Sequence, residues 1–455
     1  MQHTKDIEIA KIIAKEVTKH NGKTFFVGGF VRDLLRGTEN NDIDIEIHGI
    51  SVDELRDVLD SLGRRIEIGE SFGVFGLRGY SIDIAMPRKE TCLGRGHRNF
   101  EISVDPYCGT LSASKRRDFT INSMMQDVLS GEIIDPFSGR SDLEKGIIRH
   151  VDENTFAEDP LRVLRAAQFS ARLNFKVANE TIELCKKMNL SSLSKERIMG
   201  ELEKALLKAD KPSIFFETLR EMEQLSLWFP EIEQLIGIPQ HAKYHMEGDV
   251  WTHTMMVVDA MAAFREKSSN KMGIMISALV HDFGKIVATD EKDGVFHAYN
   301  HETLGLPIIR EFLHRLTRDN NLVRYVLNMA EYHMKPNILA TEKSSVKSTN
   351  KMFDKAICPE DLIFMAAADG LGKLPIDYQD EKMEFLQERL KIYREYMSRP
   401  YVDGNDLIAA GISPGIEFKE YLSFAHKMRL AGVDKTSTLR QIQSMHRTMH
   451  RKNTL

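Results

Sequence analysis

Near residue 150 the hydrophobic period of this chain changes, and with it the kind of fold each side can adopt. Residues 24 to 150 mix short β-type runs with Gly-rich turns: Phe25 to Val27, Ile43 to Ile47, Arg65 to Ile68, Val74 to Leu77, Ile82 to Ala85 and Ile133 to Ile134. From Glu158 onward apolar residues recur every 3.6 positions, helix after helix, with breaks near Pro212, Pro230 to Pro239, Gly294, Pro336 and Gly404 to Pro414. Ahead of the strands, Ile9, Ile12, Ile13 and Val17 stand at helical spacing and predict one amphipathic lead-in helix. The chain therefore reads as α+β, a mixed-sheet head followed by an all-helical body. At 455 residues it is about three times the ~150-residue single-domain prior. The expected division is a head over 1–150, a helical neck and body over 151–240, a second helical domain over 241–375 and a helical C-terminal region over 376–455.

Hydrophobic residues at 42% and charged residues at 28% lie in the globular range, which excludes collagen-like and low-complexity chains. A net charge of -5 gives no whole-molecule positive field, so a nucleic-acid partner must meet a local patch. One such patch is the basic tail, with Lys427, Arg429, Lys435, Arg440, Arg447, Arg451 and Lys452 against the single acid Asp434. It is a solvated helical face or a contact for RNA phosphates. The cysteines at 92, 108, 185 and 358 form no C-x-x-C pair, as expected of a reducing, cytoplasmic location. The longest uncharged apolar run, Gly273 to Val280, is far short of the ~20 residues a bilayer requires, and no export signal opens the chain.

Two segments of the head carry chemistry. Phe25-Phe-Val-Gly-Gly-Phe-Val-Arg-Asp runs from a strand through Gly28 and Gly29 into a helix, so backbone can approach a ligand closely and helix-start N–H groups favour a triphosphate. In Asn41-Asp-Ile-Asp-Ile-Glu-Ile, strand geometry puts Asp42 and Asp44 on one face and Ile43, Ile45 and Ile47 on the other. Two adjacent carboxylates repel unless a divalent cation bridges them, and Mg2+ suits a pair of hard oxygen donors.

Gly-Gly-x-Val-Arg-Asp followed by Asp-x-Asp resembles the DNA-polymerase-β nucleotidyltransferase superfamily, and within it the bacterial tRNA CCA-adding enzymes and poly(A) polymerases. Lys115-Arg-Arg-Asp-Phe-Thr-Ile-Asn-Ser-Met, Ile134-Asp-Pro-Phe-Ser-Gly and Glu158-Asp-Pro-Leu-Arg-Val-Leu-Arg-Ala-Ala agree with that family in order and spacing. The likeness implies a polymerase-β-like head in which Asp42, Asp44 and Asp83 are catalytic and Asp42 and Asp44 hold Mg2+. It implies nucleotide binding by Gly28, Gly29, Arg32 and Arg117, with Arg116 a structural neighbour and Asp118 orienting these arginines. Asp159, Arg162 and Arg165 are expected three apart on one helix face, where carboxylate and guanidinium imitate a template base and accept C and A but not U or G. Gln168 stands where relatives often carry a third basic residue. Arg88 to Asp105, with Arg95, Gly96 and His97, occupies the flexible-loop region associated with the switch from C to A addition.

In the helical part, His253, His281-Asp282 and Asp369, with His301 and His333 between, supply ligand types for a divalent metal. This arrangement resembles the HD phosphohydrolase superfamily. It implies Ni, Mn, Co or Mg at His253, His281, Asp282 and Asp369, phosphate contact by Lys285, and phosphatase, 2′-nucleotidase or 2′,3′-cyclic phosphodiesterase activity. The two resemblances together imply an enzyme that completes the CCA 3′ end of tRNA from CTP and ATP, releasing pyrophosphate, with an HD hydrolase attached. The competing readings are a poly(A) polymerase, a CC-only or A-only enzyme of the same fold, and a protein that is chiefly an HD-type nucleotide or RNA hydrolase.

Overall fold

A computed structural model of the chain describes residues 2–40, 42–67, 73–92 and 100–452. It divides into two compact units, Met1–Ala205 with Ile214–Leu227 and Leu206–Ser213 with Trp228–Leu455.

The first unit is built on β1 (Lys23–Val27), β2 (Ile43–His48), β3 (Arg65–Glu67), β4 (Val74–Leu77), β5 (Ile82–Ala85), β6 (Arg88–Cys92), β7 (Phe100–Val104), β8 (Met125–Asp127) and β9 (Ile133–Ile134). Seven of these form one sheet in the order β3-β4-β5-β2-β1-β8-β9, and β6 and β7 pair as a separate hairpin. The sheet is mixed: β2 runs parallel to β5 and antiparallel to β1. The clearest alternation in the sequence takes an inner position, because Ile43, Ile45 and Ile47 are all buried on one face of β2.

Helix Gln2–Lys19 packs on β1 and on helix Val52–Leu62. Its Ile9, Ile13 and Val17 are buried, whereas Ile12, expected in the same stripe, is 43% exposed. One residue along a helix turns about 100°, so Ile12 and Ile13 cannot share a narrow face. Helix Val52–Leu62 starts at a capping box between Ser51 and Glu54. Beyond the sheet the unit is mostly helical. Phe119 anchors this part, with Phe156 and Phe169 packed edge-on against it at 5.7 Å between ring centroids.

In the second unit helix Val250–Ala262 packs on Lys271–Val280 and Pro359–Leu371, and Lys271–Val280 packs in turn on Asn320–Tyr332. An antiparallel hairpin, Thr289–Lys292 with Val295–Ala298, fills the break expected near Gly294, where the sequence reading placed no strands. Its turn is Asp293-Gly294, both at positive φ (54° and 75°), the conformation an Asp-Gly pair adopts in a two-residue hairpin loop. The break expected near Pro336 falls between Asn320–Tyr332 and Met334–Thr341, and Pro336 itself sits in the first turn of the second helix, where its missing N–H costs no helical bond. Towards the C-terminus Tyr421 centres a small core with Leu407, Ile412, Ala425 and Ile442. Among the described residues no helix is long and apolar enough to cross a membrane.

Candidate functional site

The head site forms where β1 ends, β2 begins and β5 lies alongside. Gly28 follows β1 at φ 66° and ψ -134°, backbone space that only glycine occupies without strain. A Cβ there would lie 3.7 Å from Arg117 Nη1 and 3.7 Å from Asp44 Oδ2, so Gly28 keeps open the gap between a cation and an anion. Asp44 lies on β2 opposite Asp83 of β5 in parallel register, one strand spacing of about 4.8 Å away. The strand starts at Ile43, so Asp42 precedes it instead of lying on it; its backbone N–H donates to Asn40 Oδ1 at 2.9 Å. Asp42 and Asp83 both line an open cavity of about 220 Å³. Burial, then the charges of Asp42 and Asp83, push the Asp44 carboxyl up to about 6 against the pull of Arg117. Burial and Asp42 raise the Asp83 carboxyl as well. Three converging carboxylates are a donor set that a hard divalent cation would satisfy.

Glu46, to which the sequence reading assigned no role, governs the basic side of this site. It is fully buried, and its Oε2 accepts from Arg116 Nη2 at 3.1 Å and Arg117 Nη2 at 3.0 Å while Oε1 meets His48 Nε2 at 2.9 Å. Burial opposes its ionisation, yet Arg117, His48 and Arg116 hold the carboxyl down at about 2. Asp118, expected to orient Arg116 and Arg117, instead takes Arg165, at 2.8 Å from Nε and 2.6 Å from Nη2, and Asn122. Asp118 is deeply buried; Arg165 keeps its carboxyl below the usual range despite that burial. Arg32, expected at the nucleotide, is also turned inward. Its guanidinium forms two 2.8 Å bonds to Asp33 and one to Asn122, which ties the Gly-Gly turn to the segment that carries Arg116 and Arg117.

The residues expected to select the base are arranged differently from the expectation too. Helix Leu161–Leu173 begins after Pro160, so Asp159 precedes it and caps Leu161 N through Oδ1. Its carboxylate pairs with Arg197, at 3.0 and 2.8 Å, and not with Arg162. Arg162 donates to the carbonyls of Thr155 and Arg116. Gln168 is buried, with Nε2 lacking a partner in the protein, which removes it from the surface where a phosphate would sit. Arg95, Gly96 and His97 lie outside the described residues.

The second unit gathers its candidate ligands from separate helices. His253 comes from Val250–Ala262, His281 and Asp282 follow Lys271–Val280, and Asp369 lies in Pro359–Leu371. All four are buried. His253 Nε2 is 3.4 Å from His281 Nε2, 3.2 Å from Asp369 Oδ1 and 3.5 Å from Asp282 Oδ2. His253 Nδ1 faces the carbonyl of Gly372 at 3.0 Å and His281 Nδ1 that of Ala278 at 2.9 Å. A carbonyl only accepts, so each Nδ1 carries a proton, and in the neutral ring Nε2 is then the lone pair directed at the cluster, the form in which imidazole binds a metal. His301 and His333 stand beside the same Asp282. Burial and the neighbouring His281 and His301 push the His333 imidazole down to about 3. Lys285, expected to bind substrate phosphate, is held by Asp282 Oδ2 and Gln240 Oε1, both at 2.7 Å. Glu247, also without a role in the sequence reading, stands 2.6 Å from His245 Nδ1 and 3.2 Å from His253 Nδ1. The signal for it was weak, since one glutamate between two histidines has no diagnostic spacing. Grouped His, Asp and Glu donors of this kind suit a divalent metal.

Residues 24–149 match the family described as Poly A polymerase head domain, 174–236 the one described as Probable RNA and SrmB- binding site of polymerase A, and 250–371 the HD domain. Among solved structures the fold is shared with a Thermotoga maritima CCA-adding enzyme complexed with tRNA, at 20% identity and TM-score 0.65 over 98% of each chain. It is shared also with a Bacillus stearothermophilus CCA-adding enzyme in complex with CTP, at 22% identity and TM-score 0.67 over 98% of this chain and 99% of that one. The multifunctional CCA protein of Pseudoalteromonas atlantica is 34% identical over 414 residues, 88% of this chain and 96% of that one. With the multifunctional CCA protein of Pasteurella multocida likewise 34% identical over 404 residues, 86% of this chain and 92% of its own, this chain belongs to the multifunctional CCA protein family.

Proposed function

We propose that the chain adds the CCA 3′ end to tRNA from CTP and ATP, releasing pyrophosphate, through a head over 1–150 followed by a neck and body over 151–240. The observation that carries this is the meeting of Asp42, Asp44 and Asp83 beside the Gly28 turn and Arg117. Asp42 and Asp44 would hold Mg2+, which when bound would supply activation of the RNA 3′-hydroxyl and charge neutralisation of the departing pyrophosphate. The chain's own residues do the rest. Gly28 and Gly29 let backbone approach the triphosphate, and Arg117, steadied by Glu46, offers its free guanidinium edge to phosphate or sugar. Asp159 accepts from the exocyclic amine of C or A, and Arg162 donates to the ring acceptor beside it. UTP and GTP present the reverse polarity and leave these groups unpaired. Arg32 and Arg165 support this surface from behind.

The relatives' name, and the tRNA, CTP and ATP bound in solved neighbours, support the same reading. A tRNA ending at the discriminator base, incubated with each labelled nucleotide, tests it. Incorporation of both C and A is expected. Long A tails with ATP alone identify a poly(A) polymerase, and failure to incorporate both bases overturns the assignment.

The buried imidazole and carboxylate cluster favours a second activity in the same chain. The HD domain, over 241–375, hydrolyses a phosphomonoester or a 2′,3′-cyclic phosphodiester with Ni, Mn, Co or Mg at His253, His281, Asp282 and Asp369. The C-terminal region over 376–455 offers its basic helix Lys435–Lys452 to RNA phosphates. Cytoplasmic tRNA is the natural substrate for such a protein. Stripping metal with a chelator should abolish hydrolysis of 2′,3′-cyclic AMP, and added Ni2+ or Mn2+ should restore it. Full hydrolysis in the metal-free protein refutes this assignment.

A further inference from the structure

We infer that His241, Tyr244, His297 and Tyr299 form a stacking platform for the bases of an unpaired RNA strand, on the surface of the second unit; this rests on the reading of the chain as an enzyme that acts on RNA. The rings come from two segments, the stretch that follows Pro239 and the end of the hairpin strand Val295–Ala298. They succeed one another in space. His241 and Tyr244 have centroids 4.7 Å apart, His241 and His297 5.9 Å, and His297 and Tyr299 5.1 Å. His297 and Tyr299, two residues apart on extended chain, stand nearly parallel at 10°. Tyr244 is 56% exposed and Tyr299 71%. Single exposed apolar side chains are ordinary, but a run of four rings assembled from separate segments is a patch, and such patches mark binding surfaces.

Charge selects the occupant. Lys243 Nζ lies 5.3 Å from the centroid of the Tyr244 ring. Lys243, Tyr244 and Lys343 line one cavity of about 800 Å³, and neither lysine makes an ion pair among the described residues. His245 and Lys373 line that cavity too. The His245 ring is 4.9 Å from that of His253, and Lys373 Nζ is 2.7 Å from Asp369 Oδ2. The cavity thus runs from the platform to side chains that touch the buried cluster. Open π faces beside unpaired cations fit a single strand, whose bases stack on aromatic rings while its phosphates need countercharge. A duplex keeps those base faces stacked on one another, so a free end or loop is the form that fits. Asp290 stands opposite His297 in the hairpin register and repels phosphate, which leaves the Lys243 side for the backbone. Every base has a π face, so the platform holds an unpaired strand without reading its sequence.

The test is photo-cross-linking of the full chain to a hexanucleotide of 5-iodouridine, in chelator and without nucleoside triphosphate, so that neither proposed activity turns over. Cross-linked peptides are mapped by mass spectrometry across an RNA titration. Cross-links at Tyr244 and at the His297–Tyr299 segment are expected. In Tyr244→Ala the RNA concentration that gives half-maximal cross-linking at Tyr299 should rise roughly tenfold, because one stacking ring is lost. Tyr244→Phe should keep the parent value, since stacking uses the ring and not the hydroxyl. Cross-links confined to residues 1–240 or to Lys435–Lys452 overturn the platform and leave the rings to a protein partner. An unchanged half-maximal concentration at Tyr299 in Tyr244→Ala overturns it as well. The map of the unsubstituted chain is decisive by itself, so a variant that fails to fold does not rescue the proposal. No turnover is read, so a negative result leaves the CCA-adding and hydrolase readings to their own assays.

Discussion

Replacing Glu46 with Gln keeps the side-chain volume but removes the charge that fixes Arg116, Arg117 and His48. Glu46 is fully buried and its carboxyl is held at about 2 instead of the ordinary 4.5. At about 1.4 kcal/mol per tenfold, that lowering corresponds to about 3 kcal/mol in favour of the ionised folded state. Because the folded value is depressed, this stability is fully present above pH 4.5 and is lost as pH falls towards 2. Glu46→Gln should therefore cost the head about 3 kcal/mol at pH 7, and the difference from the unsubstituted protein should shrink below pH 4.5. The assay is urea denaturation followed by circular dichroism at pH 7, 5, 4 and 3. The substitution should also raise KM for CTP and ATP more than it lowers kcat, because Arg117 loses its anchor while the acids remain. An unchanged urea midpoint at pH 7, or a loss that stays constant down to pH 3, would refute the assignment of Glu46 as the charged anchor.

Three further outcomes are expected. The Asp44 carboxyl is raised from 3.8 to about 6, so its ionisation opposes folding above pH 6, by about 3 kcal/mol, and that penalty disappears as pH falls through 6 towards 3.8. Mg2+ should relieve it, raising the thermal midpoint at pH 7.5 and much less at pH 5; equal stabilisation at both values would show that Asp44 is not a ligand. Gly28→Val forces a side chain into left-handed backbone at φ 66° and between Arg117 and Asp44, at a cost of order 1–3 kcal/mol. It should abolish nucleotide incorporation, and isothermal titration should find no CTP binding. Asp159→Ala breaks a half-exposed pair with Arg197, worth less than about 1 kcal/mol to stability, but should raise UMP and GMP misincorporation by roughly tenfold or more in single-nucleotide extension. Unaltered base choice would remove Asp159 from the selecting group.

The sequence made the head legible wherever side-chain alternation met a Gly boundary. Val74–Leu77, Ile82–Ala85 and Ile133–Ile134 form strands over the expected residues, and the β2 isoleucines point as alternation requires. The hairpin of Arg88–Cys92 with Phe100–Val104 escaped notice because Arg-Lys-Glu-Thr offers no apolar face to read. Thr289–Lys292 is equally polar, and only the Asp-Gly turn announces it. In the site, pattern identified which residues matter better than how they pair. Glu46 continues the period of Asp42 and Asp44, but complete burial between two arginines turns it from a metal-type acid into a buried anchor. Asp118 meets Arg165, and Asp159 meets Arg197, across separations of 47 and 38 residues. Tertiary packing alone sets such pairings. The same holds for His301 and His333: their residue type was visible, but their convergence on one carboxylate depends on where one helix begins and another ends.

The most direct test of the head's proposed chemistry is sequencing of the 3′ ends of tRNA lacking CCA after incubation with all four nucleotides, for the intact chain and for Asp44→Asn. The expected result is C, C, A and then arrest for the intact chain, with unextended ends for the variant. Undiminished extension by Asp44→Asn, or an added tail of any other base order, would contradict the claim that strand-borne acids and a base-imitating surface build the CCA end.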